Sequence, residues 1–266
     1  MDDYFRTTEL SDPQFESDNL RFITVKTTNL KGRGDICLFV PQVKHVADLP
    51  IVILLHGVYG SAWVWSQKGG VHRTAFQMIQ TGEIPPMVIA MPSDGLWGDG
   101  SGYVQHNGYN FEKWIVEDVP NAVRHNITAV SEKSPLFIGG LSMGGFGALR
   151  LGTKYAHLFN AVSGHSSITD LKQMNLFVEE PLDNYLQEDT AENSVWRTIE
   201  SQSSELPAIR FDCGKDDELI NANRTLHEQL VNAKIAHTYE EFSGAHEWTY
   251  WQEHVKKTLR FFGDRT

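Results

Sequence analysis

Ile138-Gly139-Gly140-Leu141-Ser142-Met143-Gly144-Gly145-Phe146-Gly147 is the stretch on which the reading of this chain turns. It holds Gly-x-Ser-x-Gly at Gly140, Ser142 and Gly144. A short apolar run (residues 135–138) precedes it and a helix-like run (residues 146–155) follows, which is the strand–turn–helix setting of a nucleophile elbow. A serine in so sharp a turn has a strained backbone, and side chains two positions to either side would collide with the neighbouring chain. Glycine removes that collision. The helix that opens at the turn also aims its first N–H groups at the place where charge would develop on a substrate oxygen. The plainer alternative is a glycine-rich turn where a strand packs closely on a helix.

Outward from the elbow, buried strands alternate with helix-length segments. Residues 50–55, 86–91, 135–141, 159–163 and 208–213 are apolar runs, as strands covered on both faces should be. Between them lie helical segments at 71–81, 111–130, the helix after Ser142, and 220–233; residues 238–242 and 247–262 supply a last strand and helix. Upstream, 21–27 and 35–40 read as two strands joined through Lys31-Gly32-Arg33-Gly34, and 1–19 as a loose polar lead-in. The alternation predicts a mostly parallel sheet of about eight strands with helices on both faces, in one domain over 1–266. Residues 166–205 break the pattern. They are acidic and polar, with helical hints at 170–179 and 192–201, and read as an insertion after the sixth strand. Such an insertion lies over the strand ends as part of a lid, or runs over the outer surface without touching substrate.

Composition limits the function. The chain has 266 residues, 41% hydrophobic and 21% charged, with a net charge of −11. That is an ordinary globular balance, and its acidity disfavours nucleic-acid or anionic-membrane partners. Met1-Asp2-Asp3 places acid where a signal peptide would carry base, and no segment has the length of a membrane span. Cys37 and Cys213 are too few for a disulfide framework and are expected reduced and buried, which points to the cytoplasm. No H-x-H, HExxH or CxxC spacing occurs, so no metal or other cofactor is expected. A homodimer stays open.

A serine hydroxyl needs a base within hydrogen-bond reach, and the base needs an orienting carboxylate. Two loops after buried strands offer them: Cys213-Gly214-Lys215-Asp216-Asp217 and Ser243-Gly244-Ala245-His246. Asp216 and Asp217 are adjacent and point apart, so either could be the acid. His246, on a loop, is preferred as base over His227, His237 and His254, which fall in or beside the last strand and its flanking helices. For an oxyanion hole, Met143 supplies one N–H. The loop His56-Gly57-Val58-Tyr59-Gly60 supplies the other, from Val58 with Tyr59 as the alternative. His56 is expected to fasten this loop by hydrogen bonds.

These residues resemble the esterase D and tributyrin-esterase-like branch of the α/β-hydrolases. The matching pieces are Leu54-Leu55-His56-Gly57 with Gly60, Ser61 and Trp65, the elbow through Ala148, Cys213-Gly214-x-x-Asp217-x-Leu219 with Asn223, and Gly244-x-His246-x-Trp248 with Tyr250-Trp251. They span roughly 20–262. The resemblance implies the α/β-hydrolase fold, Ser142 as nucleophile, His246 as base, and Asp217 rather than Asp216 as acid. The loop at His56 differs from the Ser-Gly-Leu-Thr-Cys type of S-formylglutathione hydrolases, which counts against a glutathione thioester. Trp63, Trp65, Trp97 and Tyr103 lie on loops near the strand ends and are expected to wall a narrow acyl or aromatic site, unless they are core aromatics. Tyr59, Trp65 and Trp97 are the substrate-binding candidates; Trp248 and Trp251 read as core.

The expected activity is a serine carboxylesterase acting on a small-molecule ester with a short or small aromatic acyl group. The alternatives are an S-formylglutathione hydrolase-like thioesterase, an acyltransferase, or a non-catalytic binding module on the same fold.

Overall fold

The computed structural model describes residues 4–43, 46–202 and 205–266. Their main sheet has nine strands. In chain order these are β1 (Thr8–Leu10), β2 (Leu20–Thr27), β3 (Gly32–Phe39), β4 (Ile51–Leu55), β5 (Val88–Pro92), β8 (Leu136–Leu141), β9 (Ala161–His165), β10 (Ala208–Gly214) and β11 (His237–Phe242). A separate two-stranded ribbon holds β6 (Gln105–His106) and β7 (Tyr109–Asn110). The spatial order is β1-β2-β3-β5-β4-β8-β9-β10-β11. Pairing is antiparallel from β1 to β5 and parallel from β5 to β11. This is the α/β-hydrolase fold.

β4 shows why the sheet is buried on both faces. All five of its residues are buried. Ile51, Ile53 and Leu55 point into one core, with Val119, Ala122 and Val123 of α3 (Val119–Asn126), Leu149 and Leu151 of α4 (Met143–Lys154), and Leu226 and Leu230 of α6 (Ile220–Asn232). Val52 and Leu54 point into a second core, with Val71, Ala75 and Met78 of α1 (Val71–Gln80) and Val255, Leu259 and Phe262 of α7 (Trp248–Gly263). The period-two alternation of a strand thus divides one apolar run between two helical layers. Each such side chain contributes about 1.5–3 kcal/mol on burial.

Several expectations need correction. The sheet has nine strands rather than about eight, because Thr8–Leu10 pairs with β2 inside what reads as a loose lead-in; residues 1–3 of that lead-in lie outside the described residues. The insertion therefore follows the seventh strand of the main sheet. The hairpin turns at residues 28–31, before Gly32, and Gly34 sits within β3 because a side chain there would strike the Trp114 ring. The helix expected over 111–130 is broken into α2 (Phe111–Lys113), a wide π turn (Trp114–Asp118) and α3, with a proline in the first turn of α3. Proline lacks the N–H that an uninterrupted helix needs there. β9 starts two residues later than expected and runs to His165.

The segment 166–205, apart from 203–204 outside the described residues, holds three 3₁₀ turns and the short α5 (Val195–Glu200). It is anchored to α4. Fully buried Arg150 bridges Glu112 (2.7 Å) and Glu192, and Lys154 lies 2.8 and 2.7 Å from the same two carboxylates. Desolvation would raise the Glu112 carboxyl, but Arg150, Lys154 and the Tyr155 hydroxyl hold it below its usual value.

Candidate active site

The loops after β4, β8, β10 and β11 all leave the same C-terminal edge of the parallel sheet, where ligands bind in open α/β sheets. Ser142 ends β8 and opens α4 at φ 54°, ψ −120°, a conformation that residues with a Cβ avoid. Its backbone is held on both sides. The N–H donates to the His165 carbonyl (2.9 Å), and the carbonyl accepts from Phe146 (3.1 Å) and Ile168 (3.2 Å). A Cβ at Gly140 would run into the Gly144 carbonyl, and one at Gly144 into the Leu55 carbonyl. The Gly-x-Ser-x-Gly spacing is thus set by backbone contact.

His246 lies between Ser142 and Asp217. Its Nε2 is 2.9 Å from the Ser142 Oγ, and its Nδ1 is 3.0 and 3.2 Å from the two Asp217 oxygens. With Nδ1–H donated to the carboxylate, the Nε2 lone pair faces the serine hydroxyl. Burial pushes the Asp217 carboxyl up, but the hydrogen bond and charge of His246 and the Leu219 N–H (2.8 Å) outweigh it, leaving the carboxyl below its ordinary value. Asp216 is exposed and points elsewhere, while its N–H donates to the Gly244 carbonyl (3.0 Å) and ties the two loops together. The other candidate bases are engaged elsewhere: His227 and His237 bond to each other (2.8 Å), and His254 stacks on Phe242.

The loop after β4 approaches the serine closely, since a Cβ at Gly57 would lie 3.2 Å from that of Ser142. The Tyr59 N–H is taken by the Asp99 carbonyl (2.8 Å), whereas no hydrogen bond among the described residues uses the Val58 or Met143 N–H. His56 fastens the loop. Its Nδ1 is 2.7 Å from the Gly57 carbonyl, and its Nε2 accepts from the Asp94 N–H (3.1 Å). Asp94 in turn accepts from the Leu96 and Ser101 N–H groups, so His56 also shapes the strap of residues 94–101 beside the site.

The aromatic candidates separate. Tyr59 stands at the site's edge, 69% exposed, its hydroxyl donating to the Phe177 carbonyl. Trp65 is a correction: it is fully buried, its Nε1 donates to the Leu55 carbonyl (3.0 Å), and it packs edge-on against Trp248, so it is core. Tyr103, also fully buried, donates to the His56 carbonyl. Half-buried Trp97 packs edge-on against His106 and Tyr185 and supports the insertion. Trp63 is 50% exposed. Trp251 is buried edge-on against the His246 ring, as expected of a core residue.

The sequence carries no local signal for the place of Phe177. Its ring stacks on the His246 imidazole, with centroids 5.2 Å apart and planes at 22°. Nothing in its local sequence distinguishes it from other insertion residues; only the chain's return over the strand ends puts it there.

With a hydroxyl, an imidazole and a carboxylate in line, and two unengaged N–H groups alongside, the arrangement is chemically suited to acyl transfer. A family model described as Putative esterase matches residues 27–262. The chain is 26% identical over 232 residues to an acetyl esterase of Caldicellulosiruptor saccharolyticus, covering 80% of this chain and 83% of that protein. In structure it is similar to a ferulic acid esterase, with a TM-score of 0.78 at 23% identity, over 97% of this chain and 99% of the other. An S-formylglutathione hydrolase of Staphylococcus aureus gives 0.78 at 18% identity, over 95% and 98%. The chain belongs to the Putative esterase family and is a hydrolase acting on esters.

Proposed function

We propose that the chain is a serine carboxylesterase in which Ser142 is the nucleophile, His246 the general base and acid, and Asp217 the carboxylate that orients the imidazole. One observation carries this reading: the unbroken line from Asp217 through His246 to the Ser142 Oγ at 3.0 and 2.9 Å. Ser142 Oγ adds to the ester carbonyl carbon as its proton passes to His246 Nε2. The Val58 and Met143 N–H groups receive the oxyanion. On collapse the bond to the leaving oxygen breaks, and Nε2 returns the proton to that oxygen, leaving an acyl-enzyme. Water, deprotonated by the same nitrogen, then adds to the acyl carbon and releases the acid, restoring Ser142.

We read the acyl group as short, in keeping with the burial of the nucleophile. Ser142 is 1% exposed, and Met143 and Leu141 beside it are buried. We read the chain as one α/β-hydrolase unit with 166–205 as a cover over the strand ends. Two unpaired, buried thiols, Cys37 and Cys213, support a reducing compartment such as the cytoplasm. No helix among the described residues is long and apolar enough to cross a membrane.

The test is hydrolysis of p-nitrophenyl acetate, butyrate and octanoate by wild type and Ser142→Ala. Turnover that falls with chain length and drops by roughly 10⁴-fold or more in the variant is expected. A folded Ser142→Ala protein with wild-type turnover would overturn the mechanism.

A further inference from the structure

Residues 177–180 return from the insertion to the catalytic edge and are fastened there by three hydrogen bonds, one to Tyr59 and two to Asp99. The Phe177 carbonyl accepts the Tyr59 hydroxyl, joining the insertion to the loop that carries Val58. The Glu179 N–H donates to Asp99 Oδ2 (2.9 Å), and the Asp99 N–H donates to Glu180 Oε1 (3.0 Å). The strap holding Asp99 is itself against the site, since a Cβ at Gly100 would lie 2.5 Å from Met143 Sδ and 3.4 Å from a Val58 methyl. Phe177 meanwhile covers one face of His246.

The imidazole that takes the Ser142 proton must give it to the departing atom, so the leaving group lies beside His246. The wall of that position is Phe177, and its rim carries the carboxylates of Asp99, Glu179 and Glu180. Desolvation first, and then the negative charge of Asp99, Glu179 and Glu180, raises the Tyr59 phenol above its ordinary value, which puts all three carboxylates within electrostatic reach of the Phe177 clasp. Asp216, Glu218 and Glu247 extend the acidic character around the His246 loops. Two lysines stand nearby. Lys68 is engaged over the Trp248 ring (5.6 Å), and Lys215 acts on Glu241 at the sheet edge.

Building on the catalytic reading above, we propose that residues 177–180 determine leaving-group specificity: Phe177 packs an apolar or aromatic leaving group beside His246, and Asp99, Glu179 and Glu180 disfavour an anionic one. The substrate class is then esters of uncharged, preferably aryl, alcohols. A glutathione thioester, whose leaving group carries two carboxylates against one ammonium, is disfavoured by charge even though its thiol could leave.

The experiment compares leaving groups that share an acetyl group and differ in charge: S-acetylglutathione against the acetyl thioester of N-acetylcysteamine, and 3-carboxyphenyl acetate against phenyl acetate. At low ionic strength the neutral member of each pair should have a kcat/KM about tenfold higher, and the ratio should shrink as salt screens the rim. Glu179→Gln combined with Glu180→Gln should narrow the ratio in the same direction. Phe177→Ala should lower kcat/KM for phenyl acetate several-fold more than for methyl acetate. Equal kcat/KM within both pairs at low ionic strength, or a ratio that salt leaves unmoved, overturns the proposal while leaving the esterase mechanism intact. Failure of every ester, neutral ones included, overturns the mechanism and this inference with it.

Discussion

The Tyr250 hydroxyl donates to the buried carboxylate of Asp212 at 2.8 Å, tying helix α7 to the strand that leads into Asp217. The same tyrosine ring lies under the His246 loop, where a Cβ at Gly244 would come within 2.8 Å of its Cδ2. Asp212 also receives Arg210 (2.6 Å) and pairs with His165 (2.9 Å), whose Nε2 is 2.8 Å from the Thr258 hydroxyl. One buried polar network thus supports the loops of both the proposed acid and the proposed base.

Tyr250 is accordingly a positioning residue for His246. Burial and the Asp212 charge hold its phenol proton on well beyond the usual tyrosine range, so it remains a donor at every working pH. Tyr250→Phe keeps the ring and deletes the donor, leaving Arg210 and His165 on the carboxylate. Stability should fall by about 1.5–3 kcal/mol, the worth of a hydrogen bond to a charged group. kcat should also fall several-fold with KM nearly unchanged, because the base loses alignment while ground-state binding is untouched. A variant that melts earlier yet keeps wild-type kcat would show that the network only supports the fold.

The two adjacent aspartates separate by geometry. The Asp217 carboxylate meets His246 Nδ1, and the exposed Asp216 side chain does not. Asp217→Asn leaves the shape but offers an amide N–H where His246 needs an acceptor, favouring the wrong tautomer. Its kcat on p-nitrophenyl acetate should drop by about 10⁴-fold. Asp216→Asn should stay within a few-fold of wild type, since its link to Gly244 uses the backbone N–H. A comparable loss at both positions would mean that the loop, and not the Asp217 carboxylate, governs the rate.

What was legible in the sequence follows from which physical constraints are local. Gly140 and Gly144 are dictated by backbone collisions within a few residues, so the elbow shows in the sequence. The apolar run of β4 must satisfy two cores, and only a strand covered on both faces does so. By contrast, Trp65 and Tyr103 look alike in composition whether they wall a site or fill a core. Bonds to the Leu55 and His56 carbonyls decide the matter, and these depend on distant chain. All three residues of Thr8–Leu10 are exposed and the strand joins the sheet by backbone pairing, which leaves no buried hydrophobic pattern to read. β9 extends to His165 because Asp212 and Thr258 satisfy a buried imidazole there, a partnership between residues far apart in the chain. Phe177 reaches His246 by the same kind of long-range return.

Asp212 also sets an expectation for acid stability. Burial alone would raise its carboxyl, but His165, Arg210 and the Tyr250 hydroxyl outweigh this and hold it far below the unfolded value of about 4. Because the folded carboxyl is the stronger acid, the unfolded chain binds the extra proton as pH falls. The stabilisation is therefore complete above about pH 4 and decays as pH drops from there toward the folded value. Asp217 and Glu112, also depressed, add to the same slope. Urea unfolding followed from pH 7 to pH 3 should show little change in the midpoint until about pH 4, then a steep loss. Asp212→Asn replaces the buried carboxylate partner of Arg210 with an amide, leaving Glu240 (2.9 Å) on the guanidinium, and should cost about 1.5–3 kcal/mol at pH 7. Its loss below pH 4 should be shallower than that of wild type, since one of the depressed carboxyls is gone. Parallel acid limbs for the two proteins would mean that Asp212 titrates alike folded and unfolded, and that the network draws its stability from hydrogen bonding without charge.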